Sequence, residues 1–249
     1  MRIVIFGAGL IGGQLRDRLA TAGHDVTALG REDGIDTTTG QGVAEAVAGA
    51  EVVVDLTNSP SWADEDVLTF FRDSTRNLVA AEAAAGVGHH VILSIVGADR
   101  LTDSGYMRGK LAQEEGVLAG SVPYTIVRST QFFEFLPGIA DAATVGVEVH
   151  ASTGRLQPIA SRDVVTHLAA VVTGAPANGT VEIAGPKAEG IDELVKELFE
   201  ATGDPRTVVP DPMAGYFGAL VDDTALVATP GVDAWIGETT LSEWLRTRR

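Results

Sequence analysis

Three glycines near the start of the chain follow a strand-like run and precede a helix-like one. The run Arg2–Phe6 is short, mostly apolar and β-branched, which is typical of a strand buried on both faces of a parallel sheet. The pattern Gly7-Ala8-Gly9-Leu10-Ile11-Gly12 then opens a predicted helix, Leu10–Ala22. In this context Gly7 permits a tight turn, Gly9 lets the backbone approach a pyrophosphate, and Gly12 lets the helix pack closely on the strand.

Unpaired backbone N–H groups at the start of that helix, including those of Leu10 and Ile11, would hold the phosphates. The sequence therefore predicts a turn that binds a dinucleotide. The alternative interpretation is a glycine-rich turn without a ligand.

Strand-like and helix-like runs alternate along the following hundred residues. The predicted strands are Asp25–Leu29, Glu51–Leu56, His90–Val96 and Tyr124–Arg128. The predicted helices are Val43–Ala48, Asp64–Ala85 and Tyr106–Ala119. Such alternation implies right-handed crossovers and an open parallel sheet.

Beyond about residue 137 the alternation loosens. Helices are predicted at Asp163–Thr173 and Ile191–Thr202, a strand at Thr180–Ala184, and a short last helix opened by the capping box Thr240-Leu241-Ser242-Glu243. We therefore expect one α/β domain over residues 1–249, a Rossmann-like doubly wound parallel sheet. Residues 1–136 would form its cofactor-binding core, and residues 137–249 a small mixed α/β C-terminal lobe that shapes the substrate pocket.

Charge and composition exclude several classes of function. The net charge of −16 and the pI near 4.6 repel phosphate backbones and anionic membranes, so neither is expected as a partner. The absence of cysteine excludes disulfides, thiol nucleophiles and cysteine metal sites. The first strand begins at Arg2 and no apolar run approaches the ~20 residues of a membrane span, which favours a cytoplasmic location.

Metal and partner predictions follow from the same inspection. His89 and His90 are interpreted as a surface pair just before a strand, and no metal site is predicted. A homodimer is a common assembly for such folds, although the sequence shows no interface for it.

The end of the second predicted strand favours NADP(H) over NAD(H). Folds specific for NAD place an acid there, which binds the ribose 2′-hydroxyl. Here the strand continues into Gly30 and Arg31. A guanidinium can bind a 2′-phosphate through charge-assisted hydrogen bonds. The alternatives are that Glu32 takes the acid role through a shift of one or two residues, or that Arg31 is merely solvated.

Polar and aromatic residues follow two of the predicted strands at the edge where ligands bind in open parallel sheets. Thr57 and Asn58 are expected to contact the ribose or the nicotinamide, unless they form a plain polar loop. Aromatic side chains could wall an apolar substrate pocket or belong to the core instead. These substrate candidates are the aromatic residues Trp62, Phe132 and Phe133, with the neighbouring Gln131.

A serine, a tyrosine and a lysine form the candidate catalytic set. Ser94 lies near the carboxyl end of the fourth predicted strand, and Tyr106 follows twelve residues later. Helical spacing puts Tyr106 and Lys110 on one face. A nearby ammonium lowers the pKa of a phenol, so Tyr106 could deliver a proton while Ser94 orients a substrate oxygen and Lys110 holds the nicotinamide ribose. The alternatives are that Tyr106 and Lys110 lie on an exposed helix face, and that Ser94 is only a small residue in a crowded strand.

These features resemble the short-chain dehydrogenase/reductase superfamily. The run Tyr106-Met107-Arg108-Gly109-Lys110-Leu111-Ala112-Gln113-Glu114-Glu115, followed by Tyr124-Thr125-Ile126-Val127-Arg128, is similar to its atypical NmrA-like, NAD(P)H-binding branch. The resemblance spans residues 1–185 and implies the catalytic roles just described, with Arg31 on the NADP phosphate. NmrA-like proteins commonly carry G-x-x-G-x-x-G, whereas this chain has the shorter glycine pattern.

The function expected from the sequence is that of an NADPH-dependent oxidoreductase. It would reduce a carbonyl or a conjugated double bond of a small apolar molecule. One alternative is an NmrA-like regulator that senses NADP(H) without turnover. The other is an isomerase or dehydratase that retains NADP.

Overall fold

The computed structural model of this chain describes residues 1–217 and 219–247. Its strands are β1 Arg2–Phe6, β2 Asp25–Leu29, β3 Val52–Asp55, β4 His89–Ile95, β5 Tyr124–Ser129, β6 Thr144–Val145, β7 Glu148–Ala151, β8 Arg155–Leu156, β9 Gly179–Ala184, β10 Glu189–Gly190, β11 Thr207–Pro210 and β12 Trp235–Ile236. Its α-helices are α1 Leu10–Thr21, α2 Val43–Val47, α3 Asp64–Ala85, α4 Gly105–Leu118, α5 Leu136–Ala142, α6 Ser161–Thr173, α7 Ile191–Thr202 and α8 Leu241–Thr247. Short 3₁₀ turns occupy Arg31–Asp33 and Phe133–Phe135.

A seven-stranded sheet with flanking helices confirms the predicted Rossmann-like α/β fold. Its strand order is β12-β9-β5-β4-β3-β1-β2. The pairs β1–β2, β1–β3, β3–β4 and β9–β12 are parallel. Because β1 has β2 on one side and β3 on the other, the strand order reverses at β1. In open α/β sheets ligands bind beside such a switch point, outside the carboxyl ends of the strands.

The chain divides into two compact units. The first comprises Met1–Ser94, Gly105–Arg128 and Val165–Val181. Its core packs apolar residues of β1 and β3 against the helices α2 and α3. The cluster consists of Val4, Phe6, Val43, Val47, Ala50, Val53, Leu78, Val87 and Val122.

The second unit comprises Ile95–Ser104, Ser129–Val164 and the chain from Glu182 onward. It contains a three-stranded sheet in the order β11-β7-β6 and the strand pair β8–β10. The capping box predicted before the last helix is confirmed, since Thr240 Oγ1 accepts from Glu243 N and Thr240 N donates to Glu243 Oε2. Among the described residues, no helix has the length and apolar character that crossing a membrane requires.

The prediction that His89 and His90 form a surface pair is wrong. Both lie inside β4 and are buried. His89 Nε2 lies 2.9 Å from Thr125 Oγ1, and His90 Nδ1 lies 2.9 Å from Oε1 of the buried Glu82. The strand begins one residue earlier than predicted, and each histidine bonds a buried partner, so neither lies at the surface.

Candidate functional site

Two of the three glycines are required by the turn itself. Gly7 has φ +102°, and a β-carbon there would lie 2.5 Å from the carbonyl oxygen of Leu56. A β-carbon on Gly12 would lie 1.9 Å from the carbonyl oxygen of Gly7. Since real β-carbons do not approach other atoms this closely, only glycine permits the tight turn and the close packing of α1 on β1.

The middle glycine is different, because the protein leaves the space beside it open. Gly9 has φ −71°, and a β-carbon there would meet no atom of the described residues within 4 Å. The first turn of α1 contains no acidic residue. Its N–H groups, those of Leu10 and Ile11 among them, lie at the positive end of the helix dipole. These groups fit a phosphate, and the open space beside Gly9 lets one approach.

The glycine turn lies where three parallel strands end. Gly7 N donates to the carbonyl oxygen of Leu29 at 2.8 Å, which ties the turn to the end of β2. Leu56 N donates to the carbonyl oxygen of Phe6 at 2.8 Å, which ties the residue after β3 to the end of β1. The turn is therefore at the switch point of the sheet.

Arg31 follows β2 at this same edge. It is exposed, as is Glu32. Asp33 Oδ2 accepts a hydrogen bond from Gly30 N at 2.9 Å, so the carboxylate of Asp33 is used by its own turn. A hydrogen bond from Thr38 and, more weakly, the charge of Arg31 lower the pKa of Asp36. An exposed guanidinium and an exposed carboxylate, those of Arg31 and Glu32, thus both lie just after the end of β2.

Tyr106 begins α4 and is tied to the loop after β3. Its hydroxyl donates to Asn58 Oδ1 at 2.9 Å. Its ring centroid lies 6.0 Å from that of Phe71 and 5.5 Å from that of Trp62, whose side chain is 71% exposed. Burial raises the pKa of Tyr106 to about 12. The phenol is therefore neutral at physiological pH, and its raised pKa differs from the lowered pKa that the sequence predicted.

Lys110 lies one helical turn after Tyr106, but its ammonium is buried. Nζ donates to the carbonyl oxygen of Leu93 at 2.8 Å and to Gln113 Oε1, and it lies 4.6 Å from the ring centroid of Phe71. Burial lowers the pKa of Lys110 to about 8. Both Lys110 and Tyr106 therefore lie against Phe71, with their polar atoms bonded to different partners.

Ser94 is also buried, with its hydroxyl bonded to a charged pair. Ser94 Oγ donates to Glu114 Oε1 at 2.5 Å. Arg128 holds the same carboxylate with two hydrogen bonds, from Nε at 2.9 Å and from Nη2 at 2.7 Å. A serine hydroxyl has one hydrogen. Ser94 can therefore donate to a substrate oxygen only after it releases Glu114.

Sequence reasoning missed Asp55, the buried last residue of β3. Its Oδ1 accepts from Thr57 N at 2.9 Å and from Thr57 Oγ1 at 2.6 Å, and its Oδ2 accepts from Gln113 Nε2 at 2.7 Å. The available signal was an acid at the carboxyl end of an otherwise apolar strand. Gln113 and Glu114 could likewise have been found from their helical spacing to Lys110.

The second unit contains the other predicted substrate residues. Phe132 stacks on Phe135, with ring centroids 5.4 Å apart, and Phe133 packs on Trp244 at 5.6 Å. Both predicted rings are buried. The carbonyl oxygen of Gln131 accepts from Ile159 N at 2.9 Å. These residues contribute to the core of their unit, and a role in binding substrate stays a prediction.

Comparisons with known proteins identify the fold. No known family profile matches the sequence, and no curated protein matches it. Among solved structures, a dTDP-4-dehydrorhamnose reductase from Clostridium acetobutylicum aligns over 100% of this chain and 99% of its own, at 17% identity and a TM-score of 0.78. A short-chain dehydrogenase/reductase superfamily protein from Agrobacterium tumefaciens with bound NAD aligns over 99% of this chain and 95% of its own, at 20% identity and 0.74.

A third similar structure is dTDP-4-dehydrorhamnose reductase from Bacillus anthracis, solved in complex with NADP. It aligns over 99% of this chain and 92% of its own, at 18% identity and a TM-score of 0.70. These likenesses cover nearly the whole of each chain and show that this protein shares the Rossmann-like fold of those three structures. The resemblance to the NmrA-like branch stays a prediction.

Proposed function

We propose that this protein is an NADPH-dependent oxidoreductase of the short-chain dehydrogenase/reductase type. It would reduce a carbonyl or a conjugated double bond of a small apolar substrate. The observation that carries the proposal is the open space beside Gly9 at the start of α1, located at the switch point of the sheet. Gly7, Gly9 and Gly12 with the N–H groups of Leu10 and Ile11 would hold the diphosphate.

The preference for NADPH is proposed from the charge at the end of β2. The exposed Arg31 would bind the 2′-phosphate. Glu32 is exposed too, and Asp33 bonds its own turn. Similar structures have been solved with NAD and with NADP, so likeness alone does not decide between them.

A bound nicotinamide dinucleotide would supply hydride to the substrate carbon. The protein's part is to supply the proton and to position the reactants. Tyr106 is assigned as the proton donor to the substrate oxygen, because its hydroxyl bonds the loop after β3, at the edge where the strands end. Lys110 supports the nicotinamide ribose, and Ser94 orients the substrate oxygen after releasing Glu114. Thr57 and Asn58 lie on the loop beside the dinucleotide.

An apolar, flat substrate is proposed from Trp62. Its ring is exposed and lies beside the ring of Tyr106, the proposed proton donor. Aromatic surfaces of this kind bind apolar and planar groups in ligand pockets.

A dinucleotide sensor without turnover is the second candidate. The buried ammonium of Lys110 and the engaged hydroxyl of Ser94 favour it, because neither group is free to act in the structure described here. Both candidates require dinucleotide binding, and only the first requires consumption of NADPH.

The experiment that separates them has two parts. NADPH and NADH are titrated against the protein by calorimetry. NADPH consumption is then followed with a panel of aldehydes, ketones, enones and quinones. Binding with turnover supports the oxidoreductase, whereas binding without turnover on the whole panel supports the sensor. If neither dinucleotide binds, both proposals fail.

A further inference from the structure

The side chain of Gln113 connects the ammonium of Lys110 to a buried carboxylate. Gln113 is fully buried, and Lys110 is only 3% exposed. Gln113 Oε1 accepts from Lys110 Nζ, while Gln113 Nε2 donates to Asp55 Oδ2 at 2.7 Å. An amide has an accepting end and a donating end. Because Asp55 can only accept as a carboxylate, it forces the accepting end of Gln113 toward Lys110.

Asp55 is itself fixed in orientation. Its other oxygen, Oδ1, accepts both the backbone N–H and the hydroxyl of Thr57. The next residue, Asn58, accepts the hydroxyl of Tyr106. Asp55 therefore holds both the loop that binds Tyr106 and the amide that binds Lys110.

Charge reinforces this geometry. Asp55 is 1% exposed, and a buried carboxylate needs a compensating cation. Burial lowers the pKa of Lys110, and the negative charges of Asp55 and then Glu114 oppose that effect. Of these two acids, Asp55 contributes more to keeping the Lys110 ammonium protonated. It acts across the amide of Gln113.

We propose that Gln113, oriented by Asp55, is the positioning residue for Lys110. It holds the Lys110 ammonium beside the Leu93 carbonyl, near the carboxyl end of β4. The inference rests on the proposed function, which gives Lys110 its role. It adds that Asp55 and Gln113 set the protonation and the position of Lys110.

The composition of the chain permits a direct test. Its lysines are Lys110, Lys187 and Lys196, so selective ¹³C labelling of the lysine ε-carbon gives a simple NMR spectrum. The titration of each lysine is followed in the protein without dinucleotide. The result therefore does not depend on whether a dinucleotide binds, and it can fail independently of the proposed function.

Two substitutions test the orientation of the amide. Asp55→Asn removes the charge and presents a donor that turns the Gln113 amide around, so we expect Lys110 to titrate about one pH unit or more lower. The double variant Asp55→Asn/Gln113→Glu reverses the polarity of the bond: the new amide donates to the new carboxylate, which also accepts from Lys110. We expect it to return the Lys110 titration to the wild-type value or higher.

Controls separate positioning from packing. Asp25→Asn removes an exposed carboxylate of the same unit and should leave Lys110 unchanged. Gln113→Leu removes the accepting oxygen and should lower the pH at which Lys110 titrates, as Asp55→Asn does.

If Asp55→Asn does not fold, Gln113→Leu and the double variant still test the proposal. An unchanged Lys110 titration in the folded single variants, or no recovery in the double variant, overturns the proposal. In the working enzyme, the pH profile of NADPH consumption should move in the same direction.

Discussion

The hydroxyl of Tyr106 lies 2.9 Å from Asn58 Oδ1, so the start of α4 is joined to the loop that follows β3. This bond fixes the phenol beside the ends of the parallel strands, where the proposed dinucleotide would bind. A phenol has one hydrogen, so Tyr106 can act as the proposed proton donor only after it releases Asn58.

Replacing Tyr106 tests that assignment. We expect Tyr106→Phe to bind NADPH as the wild type does and to lose about 100-fold or more in kcat, because general acid catalysis contributes roughly that much. NADPH consumption on the best substrate of the panel measures the loss. Tyr124→Phe is the matched control and should keep full activity. Undiminished turnover in Tyr106→Phe would contradict the assignment.

The ionisation of Tyr106 makes a separate prediction. Burial raises its pKa to about 12, so the phenol should stay protonated while a solvent-exposed tyrosine ionises near its ordinary value of 10. With ¹³C-labelled tyrosine, NMR titration of the chain's three tyrosines should show Tyr106 ionising near pH 12. Tyr106→Phe identifies its signal. Ionisation below 10 would instead support the Lys110-lowered pKa that the family resemblance implies.

Arg31 should discriminate between the two dinucleotides. We expect Arg31→Ala to weaken NADPH binding about ten-fold or more and to leave NADH binding unchanged, since a hydrogen bond to a charged group contributes roughly 1.5–3 kcal/mol. Calorimetric titration with each dinucleotide measures the ratio. Arg76→Ala, which removes an exposed arginine of α3, should change neither affinity. An unchanged NADPH-to-NADH ratio in Arg31→Ala would refute the NADPH preference.

The buried pair of Glu82 and His90 predicts a pH-dependent stability. Burial opposes protonation of His90, but the charge and hydrogen bond of Glu82, with the charge of Asp55, together outweigh burial and raise the pKa of His90 above the ordinary 6.5. A raised folded pKa stabilises the protein below pH 6.5, and this contribution is lost as the pH rises through the folded value.

Urea unfolding at several pH values measures that effect. Glu82→Gln should lower the free energy of unfolding by roughly 1–3 kcal/mol on the acidic side, and the deficit should shrink as the pH rises. The exposed-site variant Glu45→Gln should show no such trend. A deficit that is constant or grows with pH would contradict the raised pKa.

Periodicity predicted most of the first unit. The bounds of β1, β2 and α3 were confirmed, because a short β-branched run marks β1 and the stop glycine Gly86 marks the end of α3. The elements between Leu136 and Leu156 were missed. They are short, and their pairing depends on partners far away in sequence, such as β11 for β7.

The sequence predicted which residues form the candidate site better than it predicted which atoms they contact. Spacing placed Tyr106 and Lys110 on α4, but it could not show that Lys110 bonds inward to Gln113 or that Ser94 donates to Glu114. Such bonds depend on which buried acids need a partner. That is a property of the packed core, and no local pattern in the sequence records it.

The space beside Gly9 is the feature on which the whole account depends. Gly9→Ala suits the backbone there and meets no atom of the described chain within 4 Å, so the variant should fold as the wild type does. Gly13→Ala, in the helix α1, is its control, because a β-carbon on Gly13 would make an ordinary 3.6 Å contact with the carbonyl oxygen of Ala8.

Calorimetric titration of NADPH into these three proteins is the most direct measurement. We expect NADPH to bind to the wild type and to Gly13→Ala. We expect it to bind about ten-fold or more weakly to Gly9→Ala, because the methyl group keeps the diphosphate from the helix N–H groups. Equal affinity in Gly9→Ala and the wild type, or no binding of NADPH or NADH to the wild type, would rule out the proposed dinucleotide site.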